Sequence, residues 1–561
     1  MASIISLPPE ILHRIYRFLG RTDVYSARLT CGTLASASYD QFAKQEVSEV
    51  YLALTSNGLT SLEELTSFET LRTYVKELWI LPTLFGNHYD WTLNDITRLD
   101  KRAYRLPGPY FAPGANPRER FPPGALPLCE GRPVRNGRLI REDPRFEPDQ
   151  RNLKQHRVYQ DAIADHFKVL LGSVDDTSRS SDMTQLQRTL THCLPFFPNL
   201  CAIGLRDTYY GNRVSDTVRE NAKRKVRGVQ KLEKILGFDI INPPTGAMFD
   251  EPDPDFTRHF YTTLLQSRLF RSLMVAIGAT NTRVETLQAY GLMADDGLSV
   301  TQDEENSLRP IMYDIRHLSL NICSVHGQEN ERNKLQRAML KGKLAPYFQP
   351  SAAQHPRPGT NPDRLLPILS QAGPNLESLH LACPGGQYAE VCKSKTALGL
   401  VDTHFVSLAN KFQFTRLSAL SLRQIMTSLP TFMRVLSTAL PTLRELNLDD
   451  IVWTSDRHFE LHEKRVKAEE AVHLMREIVT HFRDPCALRL LVIGTWTYQD
   501  LKIVFRNPLR GDRESLLTLY DAKYDTVSFT EWVDHLRFKV TVSLGEIRRR
   551  QAPEDLFTVE G

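Results

Sequence analysis

The chain carries no Gly-x-Gly-x-x-Gly, no Walker-type phosphate loop, no His-Glu-x-x-His and no Gly-x-Ser-x-Gly. Their absence removes the usual signatures of dinucleotide binding, nucleotide hydrolysis, zinc hydrolysis and serine-nucleophile chemistry, so neither catalysis nor a cofactor is expected. Cysteine is sparse: the eight are scattered, with no Cys-x-x-Cys and no zinc spacing. A reduced chain in the cytoplasm and/or nucleus follows from that usage. No apolar run reaches the length of a membrane span, and no basic segment leads into an apolar one at the N-terminus, so neither a membrane anchor nor a signal peptide is expected. An excess of one charge is also missing. The 70 basic and 66 acidic side chains leave a net charge of +4, too balanced to imply nucleic acid or a membrane surface. What remains is ordinary for a globular protein: 561 residues, 41% hydrophobic and 24% charged, room for about two to four domains.

The first fifty residues are the most organised stretch. Leu7 leads into Pro8 and Pro9, residues tolerated in the first turn of a helix. Ile11, Leu12, Ile15, Tyr16, Phe18 and Leu19 then recur at helical spacing, and Gly20 stops the helix. Thr22 or Asp23 can cap a second helix through Val24, Ala27 and Leu29. A third begins near Thr33 and carries Leu34, Ala35, Tyr39 and Phe42. Three short helices bury little surface alone, so the unit needs a partner for its apolar face.

The order Leu7-Pro8, Glu10, Ile11-Leu12, Ile15, Leu19, Asp23-Val24 and Leu29-Thr30-Cys31 resembles an F-box over roughly the first 45 residues. Leu34 and Ala35 stand where many members carry Trp, and the run into Tyr39-Asp40-Gln41-Phe42 resembles fungal-type members. The resemblance implies a non-catalytic substrate receptor of an SCF-type ubiquitin ligase. Such a chain docks on a Skp-family adaptor, through it reaches cullin and RING subunits, and holds an unknown protein substrate. Carried over residue by residue, it implies that Leu7, Pro8, Ile11, Leu12, Ile15, Leu19, Val24 and Leu29 face the adaptor or shape the surface that does.

Beyond the helices, one aliphatic triplet repeats. It reads Val47-x-x-Val50-x-Leu52 and Val75-x-x-Leu78-x-Ile80, then Leu200-x-x-Ile203-x-Leu205 and Val284-x-x-Leu287-x-Ala289. It continues at Ile315-x-x-Leu318-x-Leu320, Leu376-x-x-Leu379-x-Leu381, Leu417-x-x-Leu420-x-Leu422, Leu443-x-x-Leu446-x-Leu448 and Leu488-x-x-Leu491-x-Ile493. A bare match is common by chance. Two features raise it: almost every position is Leu, Ile or Val, and Pro precedes the first Leu by two residues at Pro198, Pro374 and Pro441. A recurring Pro ahead of a strand predicts a recurring lead-in turn. From Ile203 onward the steps are 84, 31, 61, 41, 26 and 45 residues. The pattern therefore resembles irregular leucine-rich repeats, with insertions at 208–255, 323–365 and 383–411, and only the Ile315 copy reaches the consensus Cys, at Cys323. Returning helices are predicted at 256–279, 428–440 and 464–482.

The expected fold class is α/β: a three-helix F-box followed by an irregular leucine-rich-repeat solenoid. Its parts are the F-box at 1–46, a linker with the first repeat-like units at 47–100, a Pro/Gly/Arg-rich disordered insertion at 101–150, the repeat domain at 151–499, and a cap and tail at 500–561, with Trp532 in a short helix and Lys539–Leu544 as a strand. The insertion holds ten Pro, five Gly and nine Arg. A solvated loop is the simpler reading of it than an RNA-binding arm, because its aromatics do not interleave with the Arg. Trp453 and Trp496 each follow a repeat strand by a few residues, with Asp449 and Asp450 beside the first. They are the candidate substrate anchors, weighed against plain core packing. His458, His462 and His473 read as solvated or packed histidines, not metal ligands. The Cys383–Cys392 pair stays reduced inside a cell, and Lys223–Arg227 reads as a solvated basic face before it reads as a nuclear signal. An interaction scaffold outside any ligase remains the alternative function, with RNA binding through the Arg-rich insertion behind it.

Overall fold

In the computed structural model α1 spans Pro9–Tyr16 and α2 spans Arg21–Thr30. Residues 4–82, 185–206, 226–236, 256–293, 302–323, 365–382, 412–423 and 425–453 are described, as are 488–494, 496–498, 501–506, 518–523, 525, 528–535, 537–542 and short pieces within 125–139, 158–169, 472–478 and 559–560. Pro9 takes the first turn of α1 as predicted, but the cap of α2 is Gly20; Asp23 lies inside its first turn. The predicted third helix is two, α3 at Gly32–Ala37 and α4 at Tyr39–Val47. They part at the buried Ser38, whose hydroxyl donates to the Ala35 carbonyl at 3.2 Å. Leu12, Tyr16, Val24, Leu34 and Ala37 form a buried cluster, with Leu7, Leu19, Ala27, Cys31 and Phe42 packed on it. At roughly 1.5–3 kcal/mol per large side chain such a core does not offset the entropy of ordering some forty residues. Helix α4 also joins this unit to the chain beyond it, through hydrogen bonds of Tyr39 with Thr70 and of Tyr74 with Asp40.

The chain divides into two compact units, one of Met1–Leu265, Ser272–Arg283 and Leu335–His355, the other of Gln266–Arg271, Val284–Lys334 and Pro356–Gly561. In the first, β1 (Glu49–Ala53) leads through α5 (Ser56–Ser67) and α6 (Glu69–Arg72) to β2 (Glu77–Leu81). A three-stranded antiparallel meander comes after it, β3 (Ala125–Cys129), β4 (Arg132–Arg135) and β5 (Arg138–Leu139). It falls inside the insertion expected to be disordered; the rest of 101–150 lies outside the described residues. Next come β6 (Ala202–Leu205) and β7 (Val226–Arg227), and the parallel order is β7-β1-β2-β6.

The second unit holds β8 (Thr286–Met293), β9 (His317–Cys323), β10 (Ser378–Ala382), β11 (Ala419–Arg423), β12 (Met426–Thr427), β13 (Glu445–Asp449) and β14 (Ile451–Trp453). It continues with β15 (Leu490–Ile493), β16 (Trp496–Tyr498), β17 (Leu501–Arg506), β18 (Thr518–Asp521), β19 (Arg537–Val542) and β20 (Val559–Glu560). Strands β8-β9-β10-β11-β13-β15 run parallel in that order, and β18 closes the edge antiparallel. A second sheet has the order β12-β14-β16-β17-β19-β20. The class is therefore mixed α/β on mostly parallel sheet.

Every aliphatic triplet marks a strand, and the register explains why. The middle positions are direct partners: Val50, Leu78 and Ile203 in one unit, then Leu287, Leu318, Leu379, Leu420, Leu446 and Leu491 in the other. All of them are buried. Period-two alternation puts the last position of each triplet on the same face, so two aliphatic rows run across the strands. The lead-in turn recurs as well. In each, two successive amides donate to one carbonyl of the preceding strand's start, as Glu377 and Ser378 do to Arg316 at 2.8 and 3.0 Å. The residue after each Pro reaches back too: Asn199 Nδ2 to Thr73 O at 2.6 Å, Asn375 Nδ2 to Tyr313 O at 2.8 Å and Thr442 Oγ1 to Leu417 O at 2.8 Å.

Helices Phe256–Thr280 and Leu429–Ala439 stand where two returning helices were predicted, and the helix Phe529–His535 with β19 where the cap was. Most of 464–482 and of the insertions at 208–255 and 323–365, all of 383–411, the Cys383–Cys392 pair, His458, His462 and Lys223–Lys225 lie outside the described residues; within 208–255 the structure places β7 and a helix at Gln230–Leu236.

Candidate functional site

The eight residues assigned to the adaptor face do not share one environment. Leu12 and Val24 are buried in the helical cluster and hold it together, so they shape a surface without forming it. Leu7, Ile15 and Leu19 are half-buried, and Pro8 is exposed. Ile11 and Leu29 are exposed, at 44% and 86%. Beside them Phe18 is 84% exposed, and Ile4, Ile5 and Tyr25 are exposed too; none of these four was assigned to that face from sequence. The helical spacing read from the sequence took in Phe18, but it stands in the turn after α1 ends at Tyr16. A Phe and a Leu left in water beside a formed core are what a docking surface requires.

That surface is held rigidly. Arg28 donates from Nη1 to the Ala35 carbonyl at 2.8 Å, and its guanidinium lies over the Phe42 ring at 4.2 Å. Tyr25 meets Phe42 edge-on at 5.4 Å. These contacts tie α2, which carries Leu29, to α3 and α4. In turn α4 is fastened outward: Tyr39 and Thr70 share a hydrogen bond at 2.8 Å, and the Tyr74 hydroxyl donates to Asp40 at 3.0 Å. Gln45 Nε2 donates to the Leu19 carbonyl at 3.2 Å, pinning the end of α1. The hydrogen bond from Lys44 is the main cause holding the Asp40 carboxyl below its ordinary range.

The chain matches no family model and no curated protein. Function has to be argued from the geometry.

Of the four residues assigned to substrate binding, Asp449 and Asp450 stand at the corner between β13 and β14, and the two Trp lie on strands of the second sheet. Trp453 and Trp496 do not stand at loop tips: they lie on β14 and β16, at 0% and 1% exposure. Their rings meet edge-on at 5.2 Å, and Phe432 stands against Trp453 at the same distance. Trp496 Nε1 donates to the Leu448 carbonyl at 3.2 Å. No surface ligand reaches either ring. Asp449 pairs with Arg423 at 3.2 Å, and a Cβ on Gly494 would fall 2.1 Å from Asp449 Oδ1, so that carboxylate is packed into the turn. Asp450 has φ of 57°, the left-handed conformation that Asp adopts more readily than most residues. Its place is the corner between β13 and β14.

The opposite face of the second unit's parallel sheet presents different chemistry. Alternating with the aliphatic rows, Ser319, His380, Ser421 and Asn447 are register partners in one row, half-buried. Burial and then the Arg423 charge push the His380 imidazole below its ordinary value, so it is neutral at neutral pH. Arg227, the last residue of the basic run, lies half-buried on β7 with Glu46, Tyr25 and Glu64 near its charge, unlike the freely solvated face expected. His473 is exposed. Among the described residues no group of His, Cys, Asp and Glu is placed to hold a metal ion, and no helix is long and apolar enough to cross a membrane.

Proposed function

We propose that this chain is a substrate-recognition subunit of an SCF-type ubiquitin ligase. The opening helices, read as an F-box, dock on a Skp-family adaptor, and the parallel-sheet unit, read as an irregular leucine-rich-repeat array, holds the protein to be ubiquitinated. The observation that supports this best is the pairing of a formed small core with Ile11 on α1, Phe18 in the turn after it and Leu29 on α2 left in water. The chain performs no chemistry in this reading. It raises the effective concentration of a substrate lysine near the charged conjugating enzyme, a contribution of tethering alone.

Covering Phe18 and Leu29 contributes about 3–6 kcal/mol, from the usual gain per large side chain. Adaptor affinity should therefore fall at least about a hundredfold in Phe18→Asp/Leu29→Asp. The melting temperature should stay where it is, because both side chains are already solvated. Capture of purified Skp-family adaptor by the full chain, with circular dichroism on the same samples, checks both. Undiminished capture by the double variant removes the reading.

A further inference from the structure

Helix α4 ends at Val47 and β1 begins at Glu49, so Ser48 alone joins the opening helices to the sheet of the first unit. A single residue between two elements is a natural hinge, and rocking about it would swing the whole helical cluster. The side toward β2 is braced by hydrogen bonds. The Lys76 and Glu77 amides both donate to the Ser48 carbonyl at 2.9 Å, Tyr39 shares a hydrogen bond with Thr70 at 2.8 Å, and Tyr74 donates to Asp40 at 3.0 Å. On the other edge of β1 lies β7, paired through two residues only, Val226 with Tyr51 and Arg227 with Leu52. So short a strand has little hold of its own, yet this one is built in. Val226 and Val229 are buried, and Gln230 Nε2 donates to the Val226 carbonyl. Gly228 between them has φ of 89°, and a Cβ there would collide with the Gly58 Cα and amide nitrogen in the first turn of α5. Only glycine meets both demands.

What this placement presents is Arg227. It is half-buried at the edge of β1, with the half-buried Glu46 of α4, Tyr25 of α2 and Glu64 of α5 near its charge. Burial pushes the guanidinium below its ordinary range, and those groups oppose the shift. Resting on the adaptor role given to the opening helices, we propose that Arg227 is a positioning residue: from the β7 edge it braces α2 and α4 against rocking about Ser48, and so fixes the direction in which the adaptor face leaves the sheet. A guanidinium suits the place, because its planar fork serves carboxylates on two elements where an ammonium is a single point. Without it, Glu46 keeps a half-buried carboxylate with less to offset its charge, and the easiest relief is for α4 to move outward into water. A tether that brings two reactants together works best when the reach and angle of both are held.

The test is a distance measurement on the full chain. Spin labels are attached through ketone-bearing unnatural side chains at Arg14 of α1 and at Arg188 of the helix Gln185–Cys193, both exposed, which leaves the native cysteines alone. That helix reports the body of the same unit, since Thr189 donates to Glu63 of α5 at 3.2 Å. Pulsed electron resonance should give one narrow distance in the wild type and a distribution at least about twofold wider in Arg227→Gln. Glu46→Gln should widen it as well, and the double variant should be no wider than the broader single one, because both changes remove one brace. Melting is followed on the same samples: a merely structural role for Arg227 lowers it and leaves the width of the folded chain alone. An unchanged width in folded Arg227→Gln, or widening that adds in the double variant, overturns the proposal. Should Arg227→Gln not fold, the width of Glu46→Gln decides. Adaptor capture separates the two ideas. A wild-type chain that captures no adaptor removes the ligase reading and leaves the brace standing, whereas intact capture with an unchanged width removes the brace alone.

Discussion

At the scale of single residues, burial divides groups that composition treats alike. Leu12, Val24, Leu29 and Phe18 are all apolar residues of α1, α2 and the turn between them, yet the first two build the cluster and the last two face water. Val24→Ala should therefore lower stability by about 1–3 kcal/mol, a loss set by the removed methyl groups and the space left behind, and should weaken adaptor capture only through that loss. A urea midpoint measured beside adaptor capture distinguishes it from Phe18→Asp. His166 makes a second residue-level case. It is fully buried, its Nδ1 lies 2.9 Å from the Leu54 carbonyl, and the adjacent Asp165 accepts from the Ser56 amide at 2.7 Å. Burial pushes this imidazole down to about 4. The unfolded chain takes up its proton near pH 6.5 and the folded chain does not, so the stability it contributes is complete above pH 6.5 and lost as pH falls towards 4. The loss should reach at most about 3 kcal/mol, from 1.36 kcal/mol per unit. Urea midpoints between pH 7 and pH 5 should fall in the wild type, with a shallower slope in His166→Gln; equal slopes would assign the pH dependence to other groups.

Elements were legible where their signal was periodic and obscure where it was not. The aliphatic triplets at Leu376, Leu417, Leu443 and Leu488 each became a strand, because alternating aliphatics have few ways of being buried except on one face of a sheet. Pro-Asn and Pro-Thr announced the lead-in turns, and the hydrogen bonds from Asn199, Asn375 and Thr442 give the physical reason. Asn375→Ala should cost about 0.5–1.5 kcal/mol by removing one such bond, read as a shift in denaturant midpoint. By contrast β12, β14 and β16 have only two or three residues each, too short for any alternation to register. That is why Trp453 and Trp496 looked like loop-tip anchors. Trp453→Ala should cost about 3–5 kcal/mol, as truncation of a buried aromatic does, read as a shift in urea midpoint. The split at Ser38 was equally hidden: a serine within a helical pattern carries no periodic signal, and burial against the neighbouring helices decides its conformation.

For the whole molecule, the proposed work is connection, and connection has a consequence that no single surface has. Phe18 and Leu29 belong to one compact unit, and the parallel sheet given the substrate in this proposal belongs to the other. Substitutions in one should leave the other's affinity unchanged, as independent sites do. Ubiquitin transfer nevertheless needs both on one polypeptide, since the gain comes from holding substrate and conjugating enzyme within one tether's reach. In a reconstituted reaction with adaptor, cullin and RING subunits, Phe18→Asp/Leu29→Asp should abolish modification of a substrate that the wild-type chain captures. An excess of that variant should also inhibit the wild-type chain, because the variant holds substrate without the ligase. Transfer undiminished by that excess would mean that substrate need not sit on the chain that holds the ligase, and a tether acting within one chain would then be the wrong mechanism.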